Sequence, residues 1–365
     1  MKTAFNPQVP FDSLPDLPPT TDLNSPELLK ATIEARSILG ELKGALRSLD
    51  NPALLLNTII LRESQVSSEI ENIVTTQDDL FRAYSHANSN NLASPQSKEI
   101  LRYKEAMWAG LKVMQEAGGL STNVLVNIVQ VLRAAEIGVR KTIGTKLANP
   151  VTKEIIYTPP EGHALILDKL SNLEKYIHEE SDVDPIIKAG LMHYQFEAIH
   201  PFTDGNGRTG RIAIVLYLVQ QNLLQHPVLF VSAAFLQTRS EYYKLLNAVT
   251  AQNAWKAWLL YFVRAVAQTA KSTLSMVSAI DSLRQTINTE VEINLGKHYA
   301  SEIASLLHQY PYIKISTLID RGIAKRETAS KYLNQLVEAG VLTDVKSGRD
   351  RYFINHRLVA ILATG

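Results

Sequence analysis

The chain has 365 residues, 45% of them hydrophobic and 20% charged, with a formal net charge of +1 and no cysteine. That balance suits a globular protein large enough for two or three domains, and it excludes a disordered chain, a coiled-coil rod, a disulfide scaffold, an iron–sulfur cluster and cysteine-bound zinc. No global field advertises nucleic acid, no apolar leader opens the sequence, and the densest apolar run, Ile212 to Val219, falls far short of the roughly 20 residues that span a bilayer. The expectation is a cytoplasmic protein with no membrane partner.

In chain order, the first 26 residues hold six prolines, which favour an extended arm lying over the surface. Apolar residues at three- and four-residue spacings then predict helices near Glu27 to Leu49, Asn51 to Ile73, Ser97 to Ala117 and Thr122 to Ala134, with residues 86–97 as a polar loop. From Lys141 the run KTIGTKLANPVTKEIIYTPP offers two short β-prone stretches around Asn149-Pro150, a hairpin or flap. Helical periodicity returns at His163 and persists to about Ile287. After residue 296, SEIASLLHQ, ISTLIDRG and KRETASKYLNQLVEAG read as three helices, and VLTDVKSGRDRYFIN as two strands around a Gly-bearing turn. That order is the winged helix-turn-helix pattern, with Lys325 to Ala339 as the recognition-type helix.

The stretch HPFTDGNGRTGR, residues 200–211, carries the chemistry. Its GNGRTG matches the G-x-G-x-x-G spacing of dinucleotide turns, but a buried strand would have to precede it. Instead Asp184 is a natural N-cap, Pro185 suits the first helical turn, and Ile187, Leu191, Tyr194 and Ala198 fall on one helix face. The glycines therefore lie between two helices, and the second, apolar on nearly every side, must start at residues 204 to 208. Free N–H groups at that start, with the unhindered backbone of Gly205 and Gly207, form a nest for phosphate oxygens. Asp204 at its lip can hold Mg²⁺, and Asn206 can donate its amide to a phosphate oxygen. Arg208 and Arg211, one turn apart, can neutralise further phosphate charge, and His200 is placed to take a proton from a hydroxyl. The constellation points to phosphoryl or nucleotidyl transfer.

These twelve residues resemble, position for position, the H-P-F-x-D-G-N-G-R-x-G-R signature of the Fic (filamentation induced by cAMP) domain family, and HYQFEAIH and PPEGH (residues 159–163) are similar to that family too. The resemblance implies a mainly α Fic-fold core with a β-hairpin flap, and transfer of AMP from ATP to a Ser, Thr or Tyr hydroxyl of a protein, with Mg²⁺. It implies His200 as general base, Asp204 as metal ligand, and Asn206 as an α-phosphate contact. Gly205, Gly207 and Arg208 would build the anion hole, and Arg211 would hold the γ-phosphate. Upstream, SSEIEN resembles the family's inhibitory pattern S/T-x-x-x-E-G/N through Ser67, Glu71 and Asn72. There the glutamate pairs with the second arginine, here Arg211, and keeps the γ-phosphate from its productive place. Some relatives use the same glutamate to remove AMP.

The expected organisation is an N-terminal arm and helical region with the inhibitory helix (residues 1–95), a Fic core (96–290) and a winged helix-turn-helix (296–365). Expected partners are a target protein with a hydroxyl side chain, this chain itself included, and a second copy as homodimer. From Gly296 on, ten Lys and Arg stand against six Asp and Glu, which suits either DNA or protein docking. A winged-helix regulator whose core only senses nucleotide is the alternative to the enzyme. His193 reads as a packing histidine. Tyr242, Tyr243, Trp255 and Trp258 read as core or adenine-pocket wall, and the flap around Ile155 and Tyr157 as an edge for an extended target segment.

Overall fold

The computed structural model describes residues 5–47, 52–85, 94–148, 152–347 and 350–363. The N-terminal half contains α1 (Pro26–Arg47), α2 (Pro52–Ile70), α3 (Gln77–Ser85), α4 (Pro95–Ala117) and α5 (Thr122–Arg133), then β1 (Leu147–Ala148) and β2 (Ile155–Tyr157). After the flap come α6 (His163–His178), α7 (Pro185–Ile199), α8 (Asn206–Gln220), α9 (Val231–Gln237), α10 (Arg239–Gln252) and the long α11 (Trp255–Leu295). The chain closes with α12 (Lys297–Gln309), β3 (Tyr312–Ile313), α13 (Ile315–Asp320), α14 (Arg326–Glu338), β4 (Thr343–Ser347), β5 (Asp350–Ile354) and α15 (His356–Ala363).

The mainly helical class follows from local signals that agree with one another. Asp184 caps α7 by accepting from the Ile186 amide at 2.8 Å, with Pro185 at the first turn. Ser94 caps α4 by accepting from Ser97, so the last residues of the expected polar loop are already a helix start, while 86–93 lie outside the described residues. α7 and α8 are buried on every side and pack against each other at the centre, ringed by α4, α5, α6, α9 and α11. Gly190 permits the closest approach: a Cβ there would lie 2.9 Å from the Phe262 ring, and the Trp258 indole donates to the Gly190 carbonyl at 3.0 Å.

Over this core lies the N-terminal arm. Its Leu14 and Leu17 are buried, Asn172 exchanges two hydrogen bonds with the Leu17 backbone, and Phe5 and Phe11 pack on Tyr157 at the root of the flap. β1 and β2 pair antiparallel with Leu147 opposite Tyr157; the turn expected at Asn149-Pro150 is outside the described residues. The C-terminal unit holds a three-stranded antiparallel sheet in the order β3-β5-β4, with Val345 opposite Tyr352. β3 and α15 were not expected from sequence: each is short, and β3 gains its partner only from β5. The unit packs on α2 and α11, and α3, likewise unexpected, lies against β3, with Phe81 on Tyr312 and Tyr84 on Tyr310. Among the described residues no helix is long and apolar enough to cross a membrane.

Candidate active site

The loop between α7 and α8 is fixed from both ends. α7 stops at His200, whose left-handed backbone (φ 50°, ψ 59°) turns the chain, and Gly205 (φ 80°) turns it again into α8. Between them Phe202 is fully buried, and the Asn206 side chain both accepts from the Phe202 amide (2.9 Å) and donates to its carbonyl (2.8 Å). Asn206 thus staples the loop with one amide hydrogen and keeps a second. The first amides of α8, at Asn206, Gly207 and Arg208, have no helical acceptor and open at this mouth, where a helix dipole favours an anion.

A carboxylate from α2's end occupies that place. Glu71 accepts from Arg208 Nε at 2.7 Å and from Arg211 Nη2 at 3.0 Å. It sits over Gly207, where a Cβ would lie 2.5 Å from Glu71 Oε1 and 2.9 Å from Arg211 Nη1, so any side chain there would have to displace the carboxylate or the guanidinium. Burial pushes the Glu71 carboxyl pKa up, but the two guanidinium groups outweigh it and hold the value below the ordinary one. Arg211, 1% exposed, also donates to the Ser67 hydroxyl and carbonyl, both at 2.8 Å. Ser67, Glu71, Arg208 and Arg211, chosen from two distant motifs, therefore meet in one cluster.

Helix α2 does not carry Glu71 within it, as sequence periodicity to Ile73 suggested; it ends at Ile70. Asn72 takes a left-handed φ of 63°, its amide bonds to the Glu69 carbonyl (2.9 Å) and the Ile73 amide to the Ser68 carbonyl (3.0 Å). This is the Schellman arrangement, which explains why an asparagine follows the glutamate. The Asn72 side chain also accepts from Arg239 at 3.1 Å.

Sequence reading missed Glu99, Arg133 and Arg140, which come from outside both motifs. Glu99 accepts from Arg208 and from Arg133, each at 2.7 Å, and Arg133 reaches Asp204 at 3.1 Å. Charges therefore alternate from Glu71 through Arg208, Glu99 and Arg133 to Asp204. Arg140 lies behind His200 and donates to its carbonyl at 2.8 Å. No local pattern marks these residues; the packing of α4 and α5 against α8 brings in Glu99 and Arg133, and the connection after α5 brings Arg140 to the end of α7.

His200 is held neutral: burial, then the nearby Arg140 cation, lowers its pKa to about 4, and its Nδ1 has no hydrogen-bond partner. A neutral imidazole at physiological pH can accept a proton. Glu197 is pushed up to about 7, first by burial, with Glu71 adding to the rise. His193 stacks among Phe235, Tyr242 and Trp258 and bonds the Tyr242 hydroxyl at 2.8 Å, with its pKa lowered by burial to about 3. It is a packing group, as are Tyr242, Trp255 and Trp258, while Tyr243 is 39% exposed near Arg211. Among the described residues no group of three or more His, Asp or Glu is arranged to hold a metal by itself. A lone, half-exposed Asp204 fits Mg²⁺ only where phosphate oxygens and water complete the shell.

Three family models cover most of the chain: Fic/DOC family N-terminal over residues 29–112, Fic/DOC family over 120–218, and the SoFic-like protein adenylyltransferase C-terminal domain over 283–358. The chain belongs to the Fic/DOC family. Its similarity to protein adenylyltransferase fic-1 of Caenorhabditis briggsae is 34% identity over 90 residues, 24% of this chain and 17% of that protein. For protein adenylyltransferase Fic of Drosophila melanogaster it is 33% over 89 residues, 24% of this chain and 17% of the relative. The chain thus spans about a sixth of the length of these curated relatives. A Fic family protein from Desulfovibrio desulfuricans G20 shares the fold with a TM-score of 0.54 at 20% identity, over 92% of this chain and 98% of that one. A fragment of Fic-1 from Caenorhabditis elegans does so with a TM-score of 0.50 at 18% identity, over 71% and 73%.

Proposed function

We propose that this Fic protein is a protein adenylyltransferase held off by Glu71. One observation carries the reading: an anion, the Glu71 carboxylate, already bridges Arg208 and Arg211 over Gly207 at the amide mouth of α8. A site that receives a carboxylate there is built to receive phosphate oxygens when the carboxylate leaves. The relatives' names, protein adenylyltransferase, supply adenylyl as the group transferred and protein as the acceptor; ATP as donor and a hydroxyl as the accepting group are what the family resemblance implies.

The steps follow from the side chains. The amides of Asn206, Gly207 and Arg208 with the two arginines hold the triphosphate and stabilise charge that grows on it. His200, neutral, takes the proton of a Ser, Thr or Tyr hydroxyl as its oxygen bonds to the α-phosphorus. The bond from that phosphorus to the β-phosphate bridging oxygen breaks, and pyrophosphate leaves. Mg²⁺, held by Asp204 together with the phosphates, would neutralise charge on the nucleotide. The flap, with Ile156 exposed on β2, offers an edge to an extended target segment.

In this reading residues 1–95 carry the arm and inhibitory turn, 96–290 the catalytic core, and 296–365 a winged helix-turn-helix. We favour protein docking over DNA for the last, because Arg351 on the wing is paired with Asp344 at 2.6 Å and Lys314 with Asp350 at 3.2 Å, leaving fewer cations for phosphates. Offering ATP, CTP, GTP and UTP separately to Glu71→Gly protein and weighing the intact product tests the reading. One AMP per modified site, lost in Glu71→Gly/His200→Ala, is expected; no adduct with any nucleotide, on itself or on a panel of candidate proteins, would overturn it.

A further inference from the structure

We propose that Arg140 is a positioning residue that rivets the general base to the root of the flap, so that the imidazole and the incoming hydroxyl keep one register. The inference rests on the adenylyltransferase reading for its catalytic meaning, while its mechanical content stands on the geometry alone.

Arg140 lies in the connection between α5 and β1 and is 2% exposed. A guanidinium stays charged in proteins, and a buried one is ordinarily matched to a carboxylate. The hydrogen bonds of Arg140 all go to carbonyls, with the Glu161 carboxylate favouring its charge from beyond bonding distance and Nη1 buried without a partner among the described residues. Nε donates to His200 O at 2.8 Å, Nη2 to Pro160 O at 2.5 Å and more weakly to Ile199 O at 3.4 Å, while its backbone amide donates to Pro201 O at 2.8 Å. Its own carbonyl faces His163 Nδ1 at 3.1 Å, at the start of α6. Ile199, His200 and Pro201 are the carboxyl end of α7, where the unpaired carbonyls and the helix dipole both attract a cation. Pro160 belongs to the other side of the site, three residues past β2.

Both tethered pieces need a tether. His200 stands in the left-handed region, which a non-glycine residue holds only where its surroundings over-determine it. The flap is a two-strand ribbon, and such a ribbon is marginal without outside support. Tyr157 supplies a second tie, its hydroxyl donating to Ala198 O at 2.8 Å. Arg140 alone, among the described side chains, bonds directly to both the His200 backbone and the flap root. Only a fork can span these carbonyls at once; a lysine ammonium in the same place reaches one of them.

The anion hole is not part of this linkage, because Arg208, Arg211 and the amides of α8 share no bond with Arg140. Loosening Arg140 should therefore leave ATP binding intact and misplace base and acceptor relative to each other, and a displacement of about 1 Å costs on the order of 10²-fold in rate.

The test uses the full chain in the Glu71→Gly background with Arg140→Met and Arg140→Lys. Expected results are a kcat lower by about 30- to 100-fold in Arg140→Met, partial recovery in Arg140→Lys, and a dissociation constant for Mg·ATP within about twofold of the parent. Amide hydrogen exchange should quicken over residues 152–163 and 199–204 and stay unchanged over 206–220. A kcat within about threefold of the parent, exchange over 152–163 and 199–204 no faster than in the parent, or exchange quickened throughout α8 together with weakened ATP binding would each overturn the proposal. If Arg140→Met does not fold, Arg140→Lys carries both measurements. If Glu71→Gly transfers no nucleotide, the enzymatic reading falls, and the exchange pattern alone still decides whether Arg140 ties flap to base.

Discussion

Replacing Glu71 by glycine is the perturbation whose size the geometry fixes best. The carboxylate is 22% exposed and receives two charged donors at 2.7 and 3.0 Å. A charge pair about 4 Å apart at an effective dielectric near 20 attracts by about 4 kcal/mol, and desolvation of the carboxylate returns part of that. Breaking a buried pair costs about 3–5 kcal/mol, chiefly because a cation is left uncompensated. Arg208 keeps Glu99, whereas Arg211 keeps only the hydroxyl and carbonyl of Ser67, so the low end, about 3 kcal/mol, is the fair figure. The same energy opposes a γ-phosphate that must evict the carboxylate. Glu71→Gly should therefore bind Mg·ATP about a hundredfold more tightly and transfer AMP faster by a similar factor, about two powers of ten for 3 kcal/mol. Without nucleotide it should be less stable than the parent by about that energy, and ATP should raise its melting temperature far more than that of the parent. Titration calorimetry, melting curves with and without ATP, and incorporation of α-labelled ATP give all three. Equal ATP affinity in the two proteins, within about twofold, would refute the claim that Glu71 competes with phosphate.

Asn72 supplies a control on the same switch. Asn72→Gly should leave ATP affinity unchanged, while Asn72→Val, a branched side chain in the left-handed region, should strain the turn by about 1–2 kcal/mol and partly release the site; transfer assays on both variants compare them. For the base, His200→Ala should abolish transfer and retain ATP binding by calorimetry. With the imidazole pKa lowered to about 4, the proton-accepting form persists as pH falls through 6.5, so kcat/KM of Glu71→Gly should hold to about pH 5, where an ordinary histidine would have lost most of its activity. Arg140 lowers this pKa and the Glu71 and Asp204 carboxylates raise it, so removing the Glu71 charge pushes the limb lower still. Glu63, buried on α2 against Ser232 and Tyr103, is raised by burial to about 7 from 4.5, although the bonds from Ser232 oppose the rise. The native state then holds a proton that the unfolded chain releases, so this stability is complete below pH 4.5 and is lost as pH rises through 7. Glu63→Gln should remove that dependence and gain on the parent above pH 7 by an amount on the order of 3 kcal/mol, read from denaturant unfolding at pH 5 and pH 8.

The centre of the site was legible in sequence because its parts are local. His200, Asp204 and Asn206 through Arg211 lie on one turn and one helix start, and Asp184 with Pro185 announces the helix before them. Ser67 and Glu71 were legible as a spacing. Their junction with Arg211 is a contact between residues 140 or more positions apart, which resemblance could suggest and only packing could build. Glu99, Arg133 and Arg140 were silent for the complementary reason: each is a single charge in an ordinary stretch, and its meaning lies in what it touches. The end of α2 was misplaced by a turn because Ile73 keeps the apolar spacing after the backbone has already reversed at Asn72. Helix α3 and strand β3 escaped because they stabilise each other across 230 or so residues, with the Tyr312 hydroxyl donating to Asp78 at 2.7 Å.

Helix α11 is a single rod of 41 residues that carries Trp258 and Phe262 in its first turns and ends among α12, α14 and α15. Its buried stripe continues through Ile287 and Val291, covered there by the C-terminal unit rather than by the helices around the mouth of α8. Cutting the chain near residue 296 would therefore strip an apolar seam bare at the far end of the rod, and such a fragment would be sticky and frayed instead of a clean N-terminal half. The two ends of this protein share one beam, and whatever the distal portion contributes is separable by exchanging individual surface side chains, not by amputation.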